Sequence, residues 1–94
     1  MHVISRKALK DFASRHADAS ASLDAWYRVA KSAFWDSLAA VRRTYPHADA
    51  VGPYTVFNVK GNTYRLIVTI DYRYQKIFVK RVMTHAEYAK DAWK

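Results

Sequence analysis

Between Val56 and Ile70 the chain reads VFNVKGNTYRLIVTI, two apolar β-type runs interrupted by one lysine, the pair Gly61-Asn62 and one arginine. Runs rich in aromatic and β-branched residues read as strands, and a Gly-Asn pair between two of them is a good signal for a two-residue hairpin loop. Closing the hairpin there sets Lys60 opposite Thr63, Val59 opposite Tyr64, Asn58 opposite Arg65 and Phe57 opposite Leu66. Phe57, Val59, Tyr64, Leu66, Val68 and Ile70 then share one apolar face that has to pack on a second layer. Asn58, Lys60, Arg65, Ile67 and Thr69 fall on the other face, which is expected to meet solvent.

A third run follows, and the expected strands are 54–60, 63–71 and 74–82. Tyr72-Arg73 is a poorer turn than Gly61-Asn62. If it closes tightly, Thr69 meets Lys76, Ile67 meets Phe78 and Arg65 meets Lys80, while Ile77 and Val79 join the apolar face. Lys60, Arg65 and Lys80 then sit side by side on three adjacent strands. Like charges that close repel, so a bound anion is the simplest reason to gather them. The plain alternative is an ordinary solvated sheet face. A slip of one residue would replace Lys80 by Arg81 on that face.

The layer that covers the apolar face is legible upstream. Leu9, Phe12, Ala13 and His16 recur at helical spacing after Ser5, a candidate N-cap, which predicts a helix over 6–16. Leu23, Trp26, Tyr27, Ala30, Phe34, Leu38 and Val41 keep one apolar stripe from about residue 21. Trp26, Tyr27 and Phe34 are therefore expected in the core. Trp35-Asp36-Ser37 predicts a break, with Ser37 capping a separate short helix before Pro46. Thr84-His85-Ala86-Glu87 has the form of a capping box, so a C-terminal helix is expected from about 85 to 92. Ninety-four residues without a linker or low-complexity tract make one domain, 1–94. The fold class is α+β, with N-terminal helices packed on one face of a small antiparallel sheet and a short C-terminal helix.

Sixteen Lys and Arg against eight Asp and Glu leave a net charge of +8. Most of the excess lies after residue 41, where ten basic residues face four acidic ones. A polyanion is the first partner to consider, ahead of an acidic protein or an anionic membrane surface. The absence of cysteine removes disulfides and thiolate metal sites. No apolar run has the length of a secretory signal core or a membrane span, so the expectation is a cytoplasmic protein with no membrane association. The words RHADA (15–19) and PHADA (46–50) are too short to be a repeat, and their His and Asp residues read as solvated helix-end groups rather than metal ligands.

Four segments together resemble a known family: VISRKAL (Val3 to Leu9), AWY (Ala25 to Tyr27), VFNVKGNTYRL (Val56 to Leu66) and THAEYAK (Thr84 to Lys90). Over nearly the whole chain they resemble the HigB branch of the RelE-like toxins. The resemblance implies an endoribonuclease, or mRNA interferase, of a type II toxin–antitoxin pair that enters the ribosomal decoding site and cuts translated mRNA. It also implies a RelE-like α+β fold and a HigA-like antitoxin partner that is itself a helix-turn-helix DNA binder. No cofactor is implied. Lys60, Arg65, Lys80, His85 and Tyr88 stand at the positions of the family's catalytic cluster, with the difference that relatives carry Arg where this chain has Lys80.

Those residue types suit RNA cleavage without a metal. The 2′-hydroxyl must lose a proton, the phosphorane's charge must be stabilised, and the leaving 5′-oxygen must gain a proton. Arg65 and Lys80 fit charge stabilisation, and Lys60 fits either that or the role of base. Histidine is the side-chain type suited to proton transfer near neutral pH, which makes His85 the candidate acid or base. Tyr88, three residues on, is placed to stack on a nucleobase, donate its hydroxyl, or pack on the sheet. Arg42, Arg43, Asn58, Arg73, Lys76 and Arg81 are candidate RNA-backbone contacts. A second function class fits the same basic face: a non-catalytic RNA-binding module that stacks bases on Tyr54, Tyr72, Tyr74 and Phe78. A domain that binds an acidic protein is the third.

Overall fold

The elements run β1 (His2–Ile4), α1 (Arg6–Arg15), a 3-10 turn (Ala17–Ala19), α2 (Ser20–Ser32), α3 (Leu38–Thr44), β2 (Asp49–Val51), β3 (Tyr54–Val59), β4 (Tyr64–Asp71), β5 (Lys76–Thr84) and α4 (His85–Ala89). The structure is a computed structural model that describes residues 1–90 and Trp93. The strands form one sheet in the order β1-β5-β4-β3-β2, antiparallel except where β1 runs parallel to β5. Neither β1 nor β2 is anticipated by the sequence pattern, because three residues are too few to show alternation.

The apolar face of the alternating runs packs as expected. Leu9 and Phe12 of α1, Leu23, Trp26 and Ala30 of α2, and Ala40 and Val41 of α3 bury against Phe57, Val59, Leu66, Val68, Ile77 and Val79. The break before α3 is where the sequence puts it, and Ser37 Oγ accepts from the Ala40 amide at 3.2 Å. Two expectations upstream fail. Ser5 stands at the N-cap of α1 with φ 73°, and its side chain makes no capping bond. Phe34 is 76% exposed, because α2 ends at Ser32 and the extended backbone at Ala33 takes Phe34 out of the helical stripe. Trp35 enters the core in its place.

The first hairpin keeps the expected register, with Val59 opposite Tyr64 and Asn58 opposite Arg65. Its positive φ values fall on Lys60 and Gly61 rather than on Gly61 and Asn62, and the Thr63 amide donates to the Lys60 carbonyl at 3.2 Å. The second hairpin differs. Its loop holds four residues, Tyr72 to Gln75, so Asp71 pairs with Lys76. Asp71 Oδ1 accepts from the Tyr74 amide, Gln75 takes φ 56°, and Gln75 Nε2 donates to the carbonyls of Trp35 and Tyr72. A shift of two preserves the faces, so Ile77 and Val79 still point to the helices.

A bulge between Ile67 and Val68 then inserts Lys80 into β5, leaving Ile67 opposite Arg81 and Arg65 opposite Met83. The extra residue reverses the alternation beyond it. Val82 joins the helical side and Met83 the other. That other face is also not the solvated one expected: Val56, Ile67, Met83 and Trp93 form a second small core, with Tyr54 and Tyr88 packed against it. Ile67 is only 1% exposed.

The C-terminal helix starts with the capping box read from the sequence. Glu87 N–H donates to Thr84 Oγ1 at 3.2 Å, and Thr84 N–H donates to Glu87 Oε1 at 2.9 Å. The helix runs to Ala89, and the expected continuation over 91 and 92 lies outside the described residues. The bonds from Thr84 hold the Glu87 carboxyl below its ordinary range. A lowered folded-state value stabilises the fold above the unfolded value and loses that contribution as pH falls through the folded one. Thr84→Ala is therefore expected to cost about 1 kcal/mol in urea unfolding. Glu87→Gln should destabilise at neutral pH and match the parent below the carboxylate range.

Candidate functional site

β4 is the central strand of the sheet, and near its start it carries a guanidinium that is almost out of reach of water. Arg65 is 8% exposed, on the face away from the helices. Burying this charge is costly unless its donors are met. Nη1 donates to the backbone carbonyls of Asn62 (3.1 Å) and Tyr64 (3.2 Å). Nη2 donates to Asn62 Oδ1 at 2.5 Å and meets His85 Nδ1 at 3.2 Å. All four acceptors are uncharged, and among the described residues no carboxylate pairs with Arg65. The result is a fixed positive charge that retains its attraction for an anion.

α4 lays two further groups beside it. A guanidinium has no acceptor, so the contact with His85 Nδ1 requires that nitrogen to accept and Nε2 to carry the proton. His85 is exposed, which leaves the Nε2–H available to a ligand. Its backbone N–H donates to the Thr63 carbonyl at 3.1 Å, tying the start of α4 to the β3–β4 turn. Tyr88 places its ring 5.4 Å from the Arg65 guanidinium carbon and stacks on Trp93 at 5.0 Å. Packing and cation–π contact thus both fix Tyr88, one helical turn along from His85.

The three-cation cluster expected from the sequence is not assembled. Lys60 leaves the strand alternation through its positive φ and reaches the helical side, where Nζ pairs with Asp18 Oδ2 at 2.9 Å. Asp18 Oδ1 accepts from the Tyr64 hydroxyl at 2.6 Å. The bond from Lys60, then that from Tyr64, holds the Asp18 carboxyl below its ordinary value, and Asp18 in turn raises the Tyr64 phenol. Lys80 sits in the bulge with Nζ 5.6 Å from the Phe78 ring, and Met83 occupies the place opposite Arg65 where Lys80 was expected. Arg81 is exposed opposite Ile67, the next residue of β4 on Arg65's face. Three details separate the cluster: Lys60 takes a positive φ, the second loop is longer, and the bulge adds one residue.

The candidate RNA contacts divide by position. Asn58 is exposed opposite Arg65 and borders a shallow groove lined also by His47, Gly61 and Asn62. Arg42 donates from Nε to the Ala48 carbonyl at 2.9 Å and lies 3.7 Å from Asp49, while Arg43 is exposed at the end of α3. Arg73 and Lys76 belong to the opposite end of the second hairpin, at about 3.3 Å per residue roughly 20 Å from Arg65. The sequence pattern marks Asn62 only as a turn residue and His47 only as a solvated group. The three-residue spacing of Asn62 to Arg65 across the turn was the available signal for the first. Among the described residues no cluster of three metal-ligating side chains occurs, and His16 stacks on Phe12 at 4.3 Å.

Comparison with known proteins bears on what this site serves. The family model of the HigB toxin, described as the RelE-like toxic component of a toxin-antitoxin system, matches residues 19–91. The mRNA interferase toxin HigB of Escherichia coli K12 is 31% identical over 91 residues, covering 94% of this chain and 88% of that protein. The mRNA interferase HigB of Escherichia coli O6:H1 is 30% identical over 93 residues, covering 96% and 90%. The mRNA interferase HigB of Shigella flexneri is 31% identical over 91 residues. Matches of this extent take in the N-terminal helices, the sheet and α4 together, and the chain belongs to the HigB family of RelE-like toxins.

Proposed function

We propose that this chain is an mRNA interferase that cleaves message on the ribosome, without a metal, by attack of the 2′-hydroxyl on the adjacent phosphate. The observation that carries the reading is Arg65, a charge held at the surface of a small core by neutral acceptors only. The names of its relatives supply the substrate class. In the step proposed, the 2′-oxygen forms a bond to phosphorus, and the bond from phosphorus to the 5′-oxygen breaks. The products are a 2′,3′-cyclic phosphate and a 5′-hydroxyl end.

Arg65 stabilises the charge that grows on the phosphorane oxygens, at a site where water is partly excluded and charge interactions are stronger than in solution. His85 donates its Nε2 proton to the leaving 5′-oxygen while Nδ1, exchanged from Arg65 to solvent, takes up the proton lost by the 2′-hydroxyl, so the imidazole ends neutral. Tyr88 keeps the guanidinium in place and presents its edge to an adjacent base. Lys80 and Arg81 on β5, with Arg42 and Arg43 at the end of α3, contact RNA backbone. Lys60 acts through its ion pair with Asp18, holding the turn that carries Asn62.

The antitoxin partner that the family implies is, in this reading, a HigA-like protein. The excess of positive charge suits a ribosomal RNA surface, and the location that follows is the cytoplasm. No helix of the described residues is long and apolar enough to cross a membrane.

Arg65→Ala should reduce cleavage by about 10²–10³-fold. Mapping of 5′ ends in ribosome-bound mRNA measures this, and binding of the co-expressed antitoxin controls for folding. Codon-phased cuts absent from the parent protein, with RNA affinity retained, would leave only the non-catalytic binding module. His85→Gln is expected to slow cleavage about 10²-fold with ribosome affinity unchanged; equal loss of both would make His85 a docking residue. The double variant Lys80→Ala, Arg81→Ala should weaken ribosome binding and reduce its salt dependence by about two ions, measured by sedimentation across a salt series.

A further inference from the structure

Arg65 owes its orientation chiefly to Asn62, which supplies two of its four acceptors. Nη1 donates to the Asn62 backbone carbonyl and Nη2 to its side-chain Oδ1. Because a guanidinium only donates, the amide must turn its oxygen inward. The alternatives at this position would act differently. A carboxylate would hold the fork in the same place and neutralise it, and a small apolar side chain would leave the charge intact but release one prong. An amide fixes the guanidinium without cancelling its charge.

The turn holds Asn62 where this is possible. Lys60 and Gly61 take φ of 52° and 61°, and the Thr63 amide closes the turn on the Lys60 carbonyl. Lys60 pins the turn to Asp18 in the helical layer, and the Thr63 carbonyl receives the His85 amide. One four-residue segment therefore sets the position of Arg65 relative to His85.

We infer that Asn62 is a positioning residue: its paired carbonyls aim the Arg65 guanidinium at the scissile phosphate while leaving the full charge for the transition state. The inference rests on the ribonuclease reading above, and its test has one readout that does not require cleavage. In the isolated full-length protein, ¹⁵N–¹H spectra of the Arg65 guanidinium report whether rotation about its Cζ–Nη bonds is restrained. Parent, Asn62→Ala and Asn62→Asp proteins are compared in these spectra and in single-turnover cleavage of ribosome-bound mRNA, with thermal unfolding as the control for folding.

Asn62→Ala is expected to average the Nη signals and to lower the rate at saturating ribosomes by about 10–100-fold with little change in KM, the cost of a misaligned group. Asn62→Asp should keep the Nη signals resolved yet lose at least as much rate. Resolved signals and full rate in Asn62→Ala would overturn the positioning role. Full rate in Asn62→Asp would overturn the requirement for a neutral acceptor. A parent protein with no cleavage would sink the ribonuclease reading instead, and the spectra of Asn62→Ala would still decide whether Asn62 orients Arg65.

Discussion

A guanidinium cannot be neutralised by losing its proton, so a chain that buries one has to supply acceptors with the right geometry. Arg65 meets that requirement with backbone carbonyls, an amide oxygen and an imidazole nitrogen, all uncharged. Much of the surrounding structure follows from this demand. The β3–β4 turn has to bring Asn62 back over β4, and α4 has to start where His85 can reach the same guanidinium. Tyr88 and Trp93 have to close over the sheet face that would otherwise admit water.

The β3–β4 turn therefore serves two layers at once. On the helical side it is tethered through Lys60 to Asp18, which also receives the Tyr64 hydroxyl. On the other side it holds Arg65 and the first residue of α4. Charges that look alike in the sequence have been given different work: Lys60 braces the scaffold, Arg65 is fixed in place, and Lys80 and Arg81 remain exposed. This division removes the mutual repulsion that a packed trio of cations would have carried.

Reading the sequence succeeded where the signal was local. The Gly61-Asn62 pair marked the register of the first hairpin, the capping box placed the start of α4, and Ser37 marked the break between α2 and α3. It failed where the deciding contact came from elsewhere in the chain. The four-residue loop at Tyr72 to Gln75 is held by a bond from Gln75 to the Trp35 carbonyl, forty residues away. The bulge at Lys80 has no residue signature of its own, yet it reverses every side chain after it in β5.

The sequence by itself determined the helical layer, the fold class and the supply of basic and aromatic side chains, because periodicity, caps and composition are local properties of the chain. The tertiary structure alone decided which of those groups meet. Loop length, a bulge and the covering of the second sheet face set cross-strand register over long separations, and they put Asn62 and His85, rather than Lys60 and Lys80, against Arg65.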